Sequence, residues 1–148
     1  MSVVNDKGVS QSRQQATEKY GEEVVKYRKA AEQGDALAQY SLAERYFEGR
    51  GVPEDQKRGV EWCRKAAEQG YDMAQYDLAM HYHYGLGVPE DYQKAAEWYR
   101  KAAEQDIVDA QIRLAEILYY GEKGVEQDSQ EAAKWYGRVA ELIRQEAD

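Results

Sequence analysis

Cysteine is almost absent. Cys63 stands alone among 148 residues, so no disulfide can close within the chain and the fold must rest on its own buried surface. Such usage fits a reducing compartment, and the cytoplasm is the expected location. Long apolar runs are absent too. Nothing approaches the roughly 20 residues of a membrane span, and the opening MSVVNDKGVSQSRQQ lacks the apolar core of a secretory signal. No membrane role is expected. Positive charge is in deficit, with 20 basic residues against 28 acidic ones and a formal charge of -8. That balance disfavours nucleic acid and anionic lipid as partners and favours a neutral or basic protein or peptide. Strand signals are missing: no segment alternates with period two, and Ala, Glu, Gln, Lys and Arg dominate.

What is present is repetition. GRGVPED at 49–55 returns as GLGVPED at 85–91 and, altered, as GEKGVEQD at 121–128. A loop that serves a phosphate or a metal is needed once, so a loop recurring every 36 or 37 residues points to architecture. Aligning the loops brings Trp62, Trp98 and Trp135 into register, together with the pairs Ala38-Gln39, Ala74-Gln75 and Ala110-Gln111. The extra residue of the third period falls in its loop, where an insertion leaves packed helices undisturbed.

Each period carries two helical segments. In the first, Ala38, Leu42 and Tyr46 recur as Ala74, Leu78 and Tyr82 and as Ala110, Leu114 and Leu118, a stripe with i, i+4, i+8 spacing. In the second, the tryptophans are followed by Ala66-Ala67, Ala102-Ala103 and Val139-Ala140. These small residues predict close helix crossings, with Trp and Tyr filling the space between hairpins. Gly49 and Gly85 read as left-handed ends of the first helix, and Gly34 and Gly70 as ends of the second. Asp106 takes the glycine position in the third copy at an expected strain of about 1 kcal/mol. Asp55, Asp91 and Asp128 are the expected N-caps, and Glu131 completes a capping box with Asp128. Gly59, where the other copies have Ala95 and Ala132, is expected to cost its helix about 1 kcal/mol.

A helix-turn-helix unit reading AQYSLAERYFEGRGVPED and then, in the next copy, AAEWYRKAAEQ resembles the Sel-one-like repeat family, relatives of the tetratricopeptide repeat. The resemblance runs from about Tyr27 to Ala140. It departs at Ala43, Ala79 and Ala115, where the family often has glycine, and at Glu126, where it has proline. Some secreted members carry a disulfide in each repeat, and this chain is similar to the cysteine-poor ones. The resemblance implies an all-α, right-handed superhelical solenoid of about three and a half hairpins, or seven helices. The expected organisation is a disordered tail over 1–13, an N-terminal capping helix over 14–34, and repeats over 35–70, 71–106 and 107–148, the last with a polar C-terminal capping extension. A monomer is expected, with self-association through imperfectly capped ends as the alternative.

Chemistry has few candidates. His81 and His83 are two apart on a helix, so they point roughly 200° away from each other and cannot share an ion; ordinary, partly exposed helix histidines are expected. Cys63 reads as a buried, inert thiol. Some family members have been described as beta-lactamase-like, but no Ser is followed three residues later by Lys. No cofactor, metal or catalytic residue is assigned, and the chain is not expected to be an enzyme. A hydrolase remains the rival, predicting a nucleophile or two close carboxylates of shifted pKa in a pocket. In related solenoids the first helix of each hairpin lines the concave side, so the candidate partner face is its outward stripe. That stripe is Leu37, Ser41, Glu44 and Glu48 in copy one. It is Met73, Asp77, Met80 and Tyr84 in copy two, and Asp109, Arg113, Glu116 and Tyr120 in copy three. Phe47, His83 and Tyr119 are expected at its rim. The resulting expectation is an interaction module for a peptide or protein, with an immunity-type inhibitor of a basic effector or toxin as an alternative.

Overall fold

The computed structural model describes residues 3–148, with side chains from residue 7 onward. Its helices are α1 (Val3–Glu32), α2 (Ala36–Glu48), α3 (Gln56–Glu68), α4 (Asp72–Tyr84), α5 (Tyr92–Glu104), α6 (Val108–Tyr120) and α7 (Ser129–Ala147), and no strand occurs among the described residues. Hairpins α2/α3, α4/α5 and α6/α7 stack in order, each first helix also packing on the second helix of the preceding unit. The result is an all-α solenoid.

The predicted stripe forms the interior. Leu42, Leu78 and Leu114 are fully buried, with the buried alanines of α2, α4 and α6 at 38, 43, 74, 79, 110 and 115 closing the crossings beside them. The turn chemistry follows the sequence. Asp55, Asp91 and Asp128 accept from the amides of Arg58, Lys94 and Glu131, and Asp106 adopts φ +64°. Its carboxylate pairs with Arg138 at 2.6 Å, which ties the strained turn to α7.

A polar ladder fixes the register. Gln39, Gln75 and Gln111 are buried, and their amides donate to the carbonyls of Ala31, Ala67 and Ala103 on the preceding helix. Gln69 and Gln105 then donate to the side-chain oxygens of Gln39 and Gln75, each at 2.8 Å. The third rung is broken. Leu142 stands where Gln69 and Gln105 stand in the other copies, so Oε1 of Gln111 is buried without a partner.

The loops join hairpins as well as reversing the chain. Gly51 and Gly87, the second glycines of their loops, have φ +77° and +71° and lie against the backbone of the preceding second helix. A Cβ at Gly51 would stand 2.3 Å from the carbonyl oxygen of Tyr20, and one at Gly87 would stand 2.8 Å from that of Gln56.

Several expectations change. Of the tail expected over 1–13, Met1 and Ser2 lie outside the described residues, while the chain from Val3 is helical and continuous with the capping helix. Good helix formers such as Gln11, Arg13, Gln14, Gln15 and Ala16 sustain that helix without burial, since residues 7–19 are all exposed. The tryptophans are half-buried rather than enclosed: Lys65 and Lys101 lie 4.3 and 4.4 Å from the ring centres of Trp62 and Trp98. Gly59 is no random weakness in α3. A Cβ there would meet the ring of Phe47 at 2.3 Å, so glycine leaves the room that this ring occupies. Phe47 stacks on His81 at 4.3 Å instead of standing at a rim. His81 is therefore buried, its Nδ1 2.9 Å from the Leu86 carbonyl oxygen. The capping box at Asp128 is half made, because the Glu131 carboxylate turns to Arg100.

Candidate partner-binding face

The first helices place the twelve stripe residues on three adjacent, parallel units, and packing divides them sharply. Leu37, Met73, Tyr84 and Tyr120 keep large apolar surface in solvent, with Tyr84 50% and Tyr120 65% exposed. Glu44, Glu48 and Asp109 are also exposed, whereas Ser41, Arg113 and Glu116 are half-buried. Met80 packs partly against the core and offers less surface than its spacing suggests.

Asp77 is drawn inward. The hydroxyl of Tyr40, one unit earlier, donates to its Oδ2 at 2.8 Å. Burial raises the Asp77 pKa despite that hydrogen bond. Glu44 is raised as well, first by burial and then by the charges of Glu48 and Asp77. Tyr40 is held protonated by burial and by the same aspartate. This end of the face is therefore acidic, and Asp77 lies within it without an ion pair.

The other end is aromatic. His83 stacks on Tyr84 at 4.5 Å, meets Tyr92 edge-on at 4.8 Å, and places Nδ1 3.1 Å from the Tyr99 hydroxyl. Burial, then the Arg113 charge, lowers the His83 pKa, so the ring is neutral at pH 7. Arg113 bonds Glu116 at 3.2 Å and lies close to Tyr76 and Tyr84. Copies two and three thus share one cluster. Tyr40 of copy one packs at the opposite end of α4, its ring 5.1 Å from that of Tyr71.

Tyr40 and Tyr76, both half-buried, were missed as residues of the face, and so was the buried Tyr99 that lies beneath His83. Tyr40 and Tyr76 belong to the recurring Ala-Gln-Tyr opening and look structural, yet their rings reach across to the next unit. Their replacement by Ile112 in copy three was the available signal. The thiol of Cys63 is buried, donates to the Ala74 carbonyl at 3.3 Å, and has its pKa pushed up by burial. Among the described residues no group of three or more His, Cys, Asp or Glu side chains gathers as metal ligands, and no helix is long and apolar enough to cross a membrane.

Known proteins place this architecture. A protective antigen present in uropathogenic Escherichia coli strains, which displays an SLR fold, superposes with a TM-score of 0.75 at 40% identity, over 80% of this chain and 25% of that one. A Sel1 repeat protein from Oxalobacter formigenes gives a TM-score of 0.65 at 37% identity, over 73% of this chain and 44% of that one. The chain thus spans a quarter to under half the length of these two relatives. No curated protein matches it. The Sel1 repeat model matches residues 27–35, 36–71, 72–107 and 108–142, in phase with the hairpins. The recurring loops, the buried stripe and these matches make the chain a member of the Sel1 repeat family.

Proposed function

We propose that this chain is a non-catalytic interaction module whose first-helix face holds a neutral or basic peptide or protein segment. The observation that carries this reading is that Leu37, Met73, Tyr84 and Tyr120 stay exposed along one stripe of an otherwise well-packed stack. Exposed Met and Tyr supply desolvation energy on binding, and the carboxylates of Glu44, Glu48, Asp77 and Asp109 select against acidic partners. An adaptor or regulator is the general form. The net charge of -8 favours, within it, an inhibitor that occludes a basic effector.

A scaffold suits the site better than an enzyme does. The Cys63 thiol is engaged inside the core, and the raised carboxylate of Asp77 is held by Tyr40. The single buried cysteine suits a cytoplasmic setting.

The test is selection of peptides from a random display library, followed by titration of the selected sequences. Selected peptides should be rich in Lys or Arg beside apolar residues, and Met73→Glu and Tyr84→Ala should each weaken them at least tenfold with no change in helicity. Undiminished binding to both variants would place the working surface elsewhere.

A further inference from the structure

The sequence predicts a monomer because the last segment reads as a polar cap, but the outer face of α7 is not polar. Ser129, Ala133, Tyr136, Ala140, Ile143 and Ala147 recur at alternating spacings of four and three, the seam pattern of a helix that pairs with another helix. All six are exposed. The equivalents of Ala133, Tyr136 and Ala140 elsewhere are not. Val24 and Ala31 on α1, Val60, Cys63 and Ala67 on α3, and Ala96, Tyr99 and Ala103 on α5 are buried under the helix that follows. Tyr99 is 0% exposed, whereas its counterpart Tyr136 is 41% exposed and Ile143, further along the seam, is 56% exposed. Tyr119 and Tyr120 lie beside Tyr136 and extend the apolar surface.

From this face we infer that α7 pairs with α7 of a second copy of the chain, antiparallel about a two-fold axis near Arg138. The seam is self-complementary in that arrangement. Tyr136 falls opposite Ala140 of the partner subunit, Ile143 opposite Ala133 of the partner subunit, and Ser129 opposite Ala147 of the partner subunit, so each large side chain meets a small one. Gly137 supplies an independent observation. It stands beside the axis, where the other copies have Arg64 and Arg100, and a Cβ there would have nothing within 4 Å. Nothing within one subunit requires a glycine in the middle of this exposed helix, where it weakens the helix. Close approach of a second helix backbone does require a small residue at that position. The occupant is a second copy rather than a different helix because the seam complements itself, and it continues the helix-on-helix interface that repeats inside the stack.

Sedimentation of the full chain over a wide concentration range tests the pairing. A reversible monomer–dimer equilibrium is expected. Gly137→Arg, which restores the residue type of the other copies, should abolish the dimer while raising helicity. Ile143→Glu should abolish it with helicity unchanged. Gly137→Cys should form a disulfide between subunits on mild oxidation, since residue 137 lies one position from the axis and therefore near its own symmetry mate. A constant monomer mass, a Gly137→Arg variant that associates like the parent, or assembly beyond two copies would overturn the inference, the last by showing head-to-tail packing.

Discussion

Replacing the loop glycines one at a time separates two costs that the structure assigns to different positions. Gly70, Gly85 and Gly87 all have positive φ, at +91°, +66° and +71°. Alanine at any of them incurs about 1–2 kcal/mol for the left-handed backbone. At Gly70 nothing lies within 4 Å of the added Cβ, so that strain is the whole effect. At Gly85 the nearest atom is Cβ of Glu90 at 3.3 Å, a contact that a small loop shift relieves. At Gly87 the Cβ would meet the carbonyl oxygen of Gln56 at 2.8 Å and its carbon at 2.9 Å. Those atoms belong to the first turn of α3 and cannot yield without opening the junction between hairpins, which adds about 1–3 kcal/mol of overpacking. Gly87→Ala should therefore cost about 2–5 kcal/mol in total, against about 1–2 for Gly70→Ala. Urea unfolding followed by far-ultraviolet circular dichroism measures the difference. Because hairpins in a repeat stack can uncouple, the slope of the Gly87→Ala transition should also fall. Equal losses for the two variants would refute the view that this loop clamps neighbouring units.

Three further outcomes follow from particular contacts. Gly59→Ala should destabilise by about 1–3 kcal/mol through the Phe47 ring, but in a Phe47→Ala background the same change should stabilise by about 1 kcal/mol; a double-mutant cycle without that reversal would contradict the pairing. Asp77→Asn keeps an acceptor for the Tyr40 hydroxyl and removes a buried charge. Because the folded pKa of Asp77 lies above its unfolded value, the parent loses stability as pH rises from about 4 through the folded pKa. The variant should thus melt higher at pH 7, with the gain shrinking on acidification; a pH-independent difference would refute the buried-charge argument. Trp98→Ala should cost about 2–3 kcal/mol, below the 3–5 typical of an enclosed ring, and a larger loss in thermal unfolding would show that the indole is enclosed.

The parts of the fold legible in the sequence are those in which each copy performs the same local task. Asp55, Asp91 and Asp128 cap their helices by contacts three residues away, and the Leu42, Leu78 and Leu114 stripe follows from helical period alone. What was not legible depends on contacts across units. Gly51 and Gly87 look like ordinary turn residues until the backbone of Tyr20 or Gln56, 31 positions earlier, is placed against them. Gly59 looks like a defect until Phe47 fills the space above it. At the candidate face, residue spacing identified the stripe but gave equal weight to Met80, which packs inward, and Met73, which does not. Asp77 read as a solvated acid because its donor, Tyr40, belongs to the previous hairpin. The α7 seam was present in the sequence, yet the Lys, Arg and Glu residues between its members made the segment read as a polar cap.

The broken third rung of the glutamine ladder gives the solenoid a direction. Units one and two are locked to their own second helices by a side-chain amide bridge that must be severed before either can slide, while unit three lacks its bridge and keeps an orphaned oxygen instead. Among the stacked hairpins, amide exchange of the monomer should accordingly be faster in α6 and α7 than around Gln75, so that the stack frays from its C-terminal end, the end where the exposed seam lies.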